Sequence, residues 1–246
     1  MCDGKYFKIK GWSRKYCLLW IVDYLKHDIV AYTLAPSENY QAWARLFSLV
    51  RIQNNYPKIL VCDGLSSIQQ AAEFAFPKVK IQLCIKHYLS NIKQALKEYV
   101  EKELKNSEQA KEFFFSVRKV LTVKRTEEDF NRRMFSLFEK HKEDMILTSI
   151  LLQVEKDKEK LTAYKGIKYA PLTTNFIEGL NSHLQTRLTK IKSFNSLSYA
   201  RLWINGYILK RRFTIWTDCK GRFKKLNGKI PLDQTKKRGV VIPSYF

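Results

Sequence analysis

The chain has 246 residues, 45% of them hydrophobic, with only 9 Gly and 6 Pro, which excludes a disordered or collagen-like chain and allows one large domain or two ordinary ones. Its 45 basic residues against 23 acidic give a formal charge of +22, more than solubility needs, so a polyanion is the first expected partner and nucleic acid the default. The longest unbroken apolar run, Cys17 to Val22, is far shorter than the roughly 18–20 residues of a spanning helix, and no membrane partner is expected. The start, Met1-Cys2-Asp3, lacks the apolar stretch of an export signal, and the five cysteines are odd in number and scattered. Reduced thiols in a cytoplasmic, nucleoid-associated protein are the expectation.

In chain order, Asp3 to Lys10 alternates as a strand, Tyr16 to Val22 reads as a strand buried on both faces, and Asp28 to Leu34 is rich in β-formers. Ser37 caps an expected helix over Glu38 to Gln53, with Trp43, Leu46, Phe47 and Val50 on one face. A strand from Lys58 to Cys62, a helix from Leu65 to Phe76 and a strand from Val79 to Leu83 follow. From about His87 to Lys165 the strand signals vanish, and Leu, Val and Phe recur at helical spacing among charges of both signs. After Pro171 a helix begins near Thr174 and steps through Ile177, Leu180, Leu184, Leu188 and Ile191.

A three-strand meander, then helix, strand, helix and strand, is the element order of a ribonuclease H-like fold. The expected class is α/β, a mixed sheet with flanking helices interrupted by an all-α insertion. The expected divisions are 1–90 for the first part of the core, 91–168 for the insertion, 169–212 for the closing helices, and 213–246 for a basic tail.

The charge is not spread evenly. Residues 187–246 carry 15 basic and 2 acidic side chains, whereas residues 93–165 carry 17 and 14. The last sixty residues also interleave cations with Tyr199, Trp203, Tyr207, Phe213, Trp216 and Phe223. Cations that neutralise phosphates release counterions, and aromatic planes stack on bases, so this stretch suits a nucleic-acid face. The candidate DNA contacts are Arg187, Lys190, Lys192, Arg201, Lys210, Arg211, Arg212, Lys224 and Lys225. The aromatics equally suit a helix core with the cations on its solvated side.

Three acids stand at element ends: Asp3 opening the first strand, Asp63 ending the fourth in Val61-Cys62-Asp63-Gly64, and Glu178 in the first turn of the helix after Pro171. Each has a plainer reading, as a terminal residue, a turn former before Gly64, and a capping partner of Asn175. In a ribonuclease H-like order the three converge. Mutual repulsion then calls for hard divalent cations, and two such ions assist displacement at a phosphodiester. Asp23 and Asp28 read as hairpin residues.

The words Asp3-Gly4-Lys5-Tyr6-Phe7-Lys8-Ile9, Val61-Cys62-Asp63-Gly64, Cys84-Ile85-Lys86-His87 and Thr173-Thr174-Asn175-Phe176-Ile177-Glu178-Gly179-Leu180-Asn181 resemble the DDE transposases of the Mutator-like group and related bacterial insertion sequences. So does the closing Leu226-Asn227-Gly228-Lys229-Ile230-Pro231-Leu232. The resemblance implies a ribonuclease H-like core with a helical insertion before the catalytic Glu. It also implies Asp3, Asp63 and Glu178 as catalytic metal ligands, magnesium in a two-metal site with manganese as a substitute, and a homodimer acting on transposon ends and target DNA. The implied reaction is strand cleavage followed by 3′-hydroxyl attack. Cys84 and His87 form the family's Cys-x-x-His pair; two ligands are half a zinc site, so zinc is not expected.

Relatives carry a DNA-binding region ahead of the first catalytic strand, whereas Met1 stands two residues before Asp3. A truncated or split reading frame is one expectation from this departure, and a catalytically inactive remnant that only binds DNA is the alternative function. A structure-specific nuclease sharing the core is a third reading.

Overall fold

The computed structural model describes residues 1–103 and 107–236. The chain divides into two compact units: residues 1–56 with 67–77 and 175 onward, and residues 57–66 with 78–174.

The first unit is built on an antiparallel sheet of β1 (Cys2–Phe7), β2 (Tyr16–Asp23) and β3 (Asp28–Ala35), with β2 in the middle. The run Cys17 to Val22 is buried throughout, as its unbroken apolar pattern requires of a strand covered on both faces. Asp3 pairs with Trp20, and Asp23 pairs with Asp28 across the hairpin end. Asp23 Oδ1 accepts hydrogen bonds from Leu25 N and Lys26 N, so Asp23 is the turn former that its place in the sequence indicates. β1 ends at Phe7 instead of Lys10, and Ile9 bridges Phe194 in a parallel contact.

Helix α1 (Tyr40–Ile52) buries the expected Trp43, Leu46, Phe47 and Val50. Its cap is Asn39, whose side chain accepts from Ala42 N, and not Ser37. Ser37 accepts a hydrogen bond from Asn39 Nδ2 and so orients the capping amide. Helix α2 spans Ser66–Ala75.

The second unit holds the parallel pair β4 (Ile59–Cys62) and β5 (Lys80–Leu83), followed by α3 (Ile85–Glu103), α4 (Ser107–Leu121), α5 (Glu127–His141), α6 (Met145–Lys156) and α7 (Lys158–Leu161). Its core runs from Leu83 through Phe113, Val117, Phe130 and Leu151 to Leu161. Buried Gln82 ties β5 to the end of the helical run: its Nε2 donates to Leu161 O and its Oε1 accepts from Tyr164 N. α3 is continuous from Ile85, so a division at 90/91 falls inside one helix.

The first unit closes with α8 (Asn175–Ile191), α9 (Leu197–Phe213), a 3₁₀ turn at Gly221–Leu226 and α10 (Pro231–Thr235). Within the expected tail 213–246, Phe213, Leu226 and Pro231 are buried, so its described part is folded; residues 237–246 lie outside the described residues. Among the described residues no helix is long and apolar enough to cross a membrane.

Candidate active site

In the first unit the site is built from β1 and α8. Asp3 Oδ1 accepts from Gly4 N at 2.8 Å, and Asp3 Oδ2 accepts from Asn181 Nδ2 at 2.6 Å. Asn181 lies three residues after Glu178 on α8, so the two share a helix face. Glu178, Asn181 and Lys5 line one hollow. Asp3 and the first turns of α8 are thus joined by a short, partly buried bond.

The register is held at the other end too. Phe194 N donates to Lys8 O at 2.9 Å and Lys10 N donates to Phe194 O at 2.8 Å, pinning the chain after α8 to the chain after β1. These ties fix how far α8 can slide along the strand.

Asn181 closes the Thr173–Asn181 word in the sequence but has no role assigned there. It falls next to Leu180 in the apolar stripe, and a polar side chain there, 8% exposed, needs a buried partner. Its Nδ2 has Asp3, whereas its Oδ1 is buried with no hydrogen-bond partner among the described residues. The carboxylate of Asp3 and the unpaired carbonyl oxygen of Asn181 form a hard oxygen donor set, which fits magnesium better than a soft metal.

A further carboxylate flanks β1. Glu38 lies over Gly4: a Cβ built at Gly4 would meet Glu38 Oε2 at 2.7 Å, so a side chain there would displace the carboxylate. Successive strand residues point to opposite faces, which puts Glu38 on the other side of β1 from Asp3. Burial, then the charges of Cys17 and Glu38, push the Tyr6 phenol up to about 12. Burial, then Glu38, also raise the Cys17 thiol, with Asp3 adding to the rise.

In the second unit Asp63 directly follows β4, half-buried, and its Oδ1 accepts from Leu65 N at 3.1 Å in a turn. Cys84 directly follows β5, and Cys84 N donates to Cys62 O at 2.7 Å, so Asp63 and Cys84 both leave the same end of the parallel pair. Residues beyond strand ends in parallel sheets line ligand crevices.

Cys84 Sγ accepts from Thr174 Oγ1 at 3.1 Å and from Thr174 N at 3.4 Å. Burial pushes the thiol up, yet hydrogen bonds from His87 and Thr174 outweigh it and leave the group below its ordinary value. With Ile85 N donating to Leu172 O, the sulfur fastens the 172–174 segment to the start of α3.

The candidate DNA contacts divide. Arg187, Lys190, Lys192, Arg201, Lys210, Lys224 and Lys225 are exposed. Arg211 stacks on Trp216 at 4.8 Å. Arg212 is engaged within the fold. Its Nε and Nη2 donate to the two oxygens of Asp28 at 2.9 and 2.7 Å, and Thr235 Oγ1 also donates to that carboxylate. Asp28 is 1% exposed, so it is more than a hairpin residue: it anchors α9 and α10 to β3.

The aromatics of the last stretch also divide. Trp216 and Phe223 close on His27 together with Tyr24 and Phe176, the Phe176 ring stacking on the imidazole at 4.1 Å. Tyr199 is 54% exposed on α9.

Comparison with known proteins adds two findings. The family described as "Transposase, Mutator family" matches residues 2–205, a span that contains Asp3, Asp63, Cys84, His87, Glu178 and Asn181. The chain is also similar to the transposase for insertion sequence element IS905 of Lactococcus lactis subsp. lactis (strain IL1403), 28% identical over 100 residues. Those residues make up 39% of this chain, and the match spans only 26% of that relative's length.

Proposed function

The chain belongs to the Mutator family of transposases, and from that premise we propose that it is the catalytic portion of an enzyme that cleaves DNA at transposon ends and joins the ends to a target. The reading assigns a ribonuclease H-like core and makes Asp3, Asp63 and Glu178 the catalytic carboxylates. The observation that carries it is the bond from Asn181 to Asp3, three residues along α8 from Glu178.

Asp3, Glu178 and Asp63 would hold magnesium, or manganese in its place, with the carbonyl of Asn181 available as a further oxygen donor. Such ions supply an activated attacking oxygen and charge stabilisation at the departing one. The chain's own residues do the rest. The Asn181 amide holds Asp3 Oδ2 against α8 and fixes the rotamer of Asp3. The exposed cations Arg201 and Lys210 on α9, with Lys224 and Lys225, hold the phosphate backbone and set the salt dependence of binding. A homodimer on paired ends is part of the same proposal.

The test is strand cleavage of end-labelled terminal DNA in magnesium by the wild-type chain, Asp63→Asn and Glu178→Gln. Each variant is expected to lose at least about three orders of magnitude, the scale of removing one member of a catalytic unit. Cleavage by both variants at the wild-type rate overturns the assignment.

A further inference from the structure

α8 carries a second stripe beside its apolar one. Ile177, Leu180, Leu184 and Leu188 are buried, while Ser182, Gln185, Thr186, Thr189 and Lys190 follow Glu178 at spacings of three and four and are exposed. Together with Lys5 of β1 they line a groove of about 650 Å³. A second hollow of about 440 Å³ continues it: Gln185 and Thr189 line both, and Tyr6, Lys8, Lys15 and Lys192 line the second. The walls are the strand and helix already pinned together by Asp3–Asn181 at one end and by Phe194 between Lys8 and Lys10 at the other.

The lining has a consistent chemistry. Five lysines, Lys5, Lys8, Lys15, Lys190 and Lys192, flank it, and among its described lining residues Glu178 at one end is the sole carboxylate. Thr186 Oγ1 donates to Ser182 O, Thr189 Oγ1 donates to Gln185 O, and Gln185 Nε2 donates to Thr189 Oγ1. With its hydrogen turned to the helix, Thr186 presents an acceptor oxygen to the groove, while Thr189 Oγ1 already accepts from Gln185. Tyr6 is part of the second hollow's lining, and its hydroxyl donates to Glu38 Oε2 at 3.4 Å. Lysines for phosphates and acceptors for base amino groups are parts of a single-strand site.

The dimensions agree. From Glu178 to Lys190 α8 rises about 18 Å, the length of about five stacked nucleotides. Each hollow has the volume of a site for one small ligand, on the scale of a few nucleotides.

We propose that the β1–α8 groove is a track for a short unpaired DNA strand whose path ends at Glu178. The proposal rests on the reading above only in taking DNA as the ligand. It assigns binding roles to Lys5, Lys8, Lys15, Gln185 and Thr186, which lie outside the basic stretch 187–246, and to Thr189 within it.

The test measures binding in EDTA, so that it does not depend on cleavage. A labelled single strand of about eight nucleotides, within the usual site size for such grooves, and a longer duplex are each titrated with the wild-type chain. The same titrations use Lys5→Ala with Lys15→Ala, and Gln185→Glu with Thr189→Glu. Single-strand affinity is expected to fall at least about tenfold in both double variants, and the lysine pair is expected to make the plot of log affinity against log salt shallower by about 1.4. Duplex affinity is expected to change less than about threefold, because Arg201, Lys210, Lys224 and Lys225 remain. Unchanged single-strand affinity, or an equal loss on both DNAs, overturns the track. Circular dichroism melts check folding; should the glutamate pair melt early, the lysine pair alone decides. Wild-type chain that binds the strand in EDTA but never cuts DNA in magnesium would sink the proposed function and leave the track standing.

Discussion

The two units treat charge in opposite ways. In the helical unit cations are matched on the spot. Asp129 receives Arg125, Arg132 and Arg133 at 2.6–3.1 Å; Lys140 meets Glu112, and Lys158 meets Glu127 and Glu155. Hydrogen bonds from Arg132, Arg125 and Arg133 hold the Asp129 carboxyl far below the usual range. In the closing part of the other unit acids are scarce. Among the described residues Lys190, Lys192, Arg201, Lys210, Lys224 and Lys225 have no acidic partner, and Arg212 alone spans to a buried carboxylate. A helix laced with its own ion pairs presents little net field, whereas unmatched cations on a folded surface keep a standing attraction for phosphate. The total of +22 hides this division; its distribution along the chain shows it.

The sharpest way to break the comparison is to remove one arginine from each region. Arg212→Ala leaves Asp28 buried with half its partners gone, and is expected to cost about 3–5 kcal/mol in urea unfolding. Arg132→Ala, on an exposed pair, is expected to cost less than about 1 kcal/mol. Equal effects would remove the distinction. Next in size is DNA affinity: Arg201→Ala with Lys210→Ala should make the duplex salt slope shallower by about 1.8, while a matched pair of substitutions at Arg132 and Arg133 should leave it unaltered.

The smallest expected effect is a pH dependence. Burial lowers the His27 imidazole to about 4 against the nearby charges of Asp23 and Asp218. The unfolded chain therefore binds more protons than the folded one between the ordinary histidine value, about 6.5, and 4. Stability from neutral His27 is present above that window and is lost as pH falls through it. Tyr24, Phe176, Trp216, Phe223 and Cys219 surround the ring and bring no compensating charge. His27→Asn, suited to the positive φ of 54° at this position, should flatten the fall in urea midpoint between pH 6.5 and 4. His141, lowered by burial in the other unit, supplies a separate and remaining slope.

Much of the element order was legible because the periods are strong. The run Cys17–Val22 and the face Trp43, Leu46, Phe47, Val50 needed only period and apolarity. What was not legible depends on distant partners. Asp28 looks like any hairpin acid until Arg212, 184 residues away, reaches it. Asn181 looks like an interruption of an apolar stripe until Asp3 meets it. The cap at Asn39 instead of Ser37 turns on a local side-chain bond that spacing does not encode. The order of acids along the chain named Asp3 and Glu178, but their link through Asn181 is a fact of packing.

The most direct test of the central claim sets two glutamates beside β1 against each other. Glu178 shares a face of α8 with Asn181, while Glu38 lies over Gly4 on the opposite face of the strand. The measurement is strand transfer of labelled transposon-end DNA in magnesium by the wild-type chain, Glu178→Gln and Glu38→Gln. The account predicts activity abolished in Glu178→Gln and within a few-fold of wild type in Glu38→Gln. Retained activity in Glu178→Gln, with loss in Glu38→Gln, would contradict it.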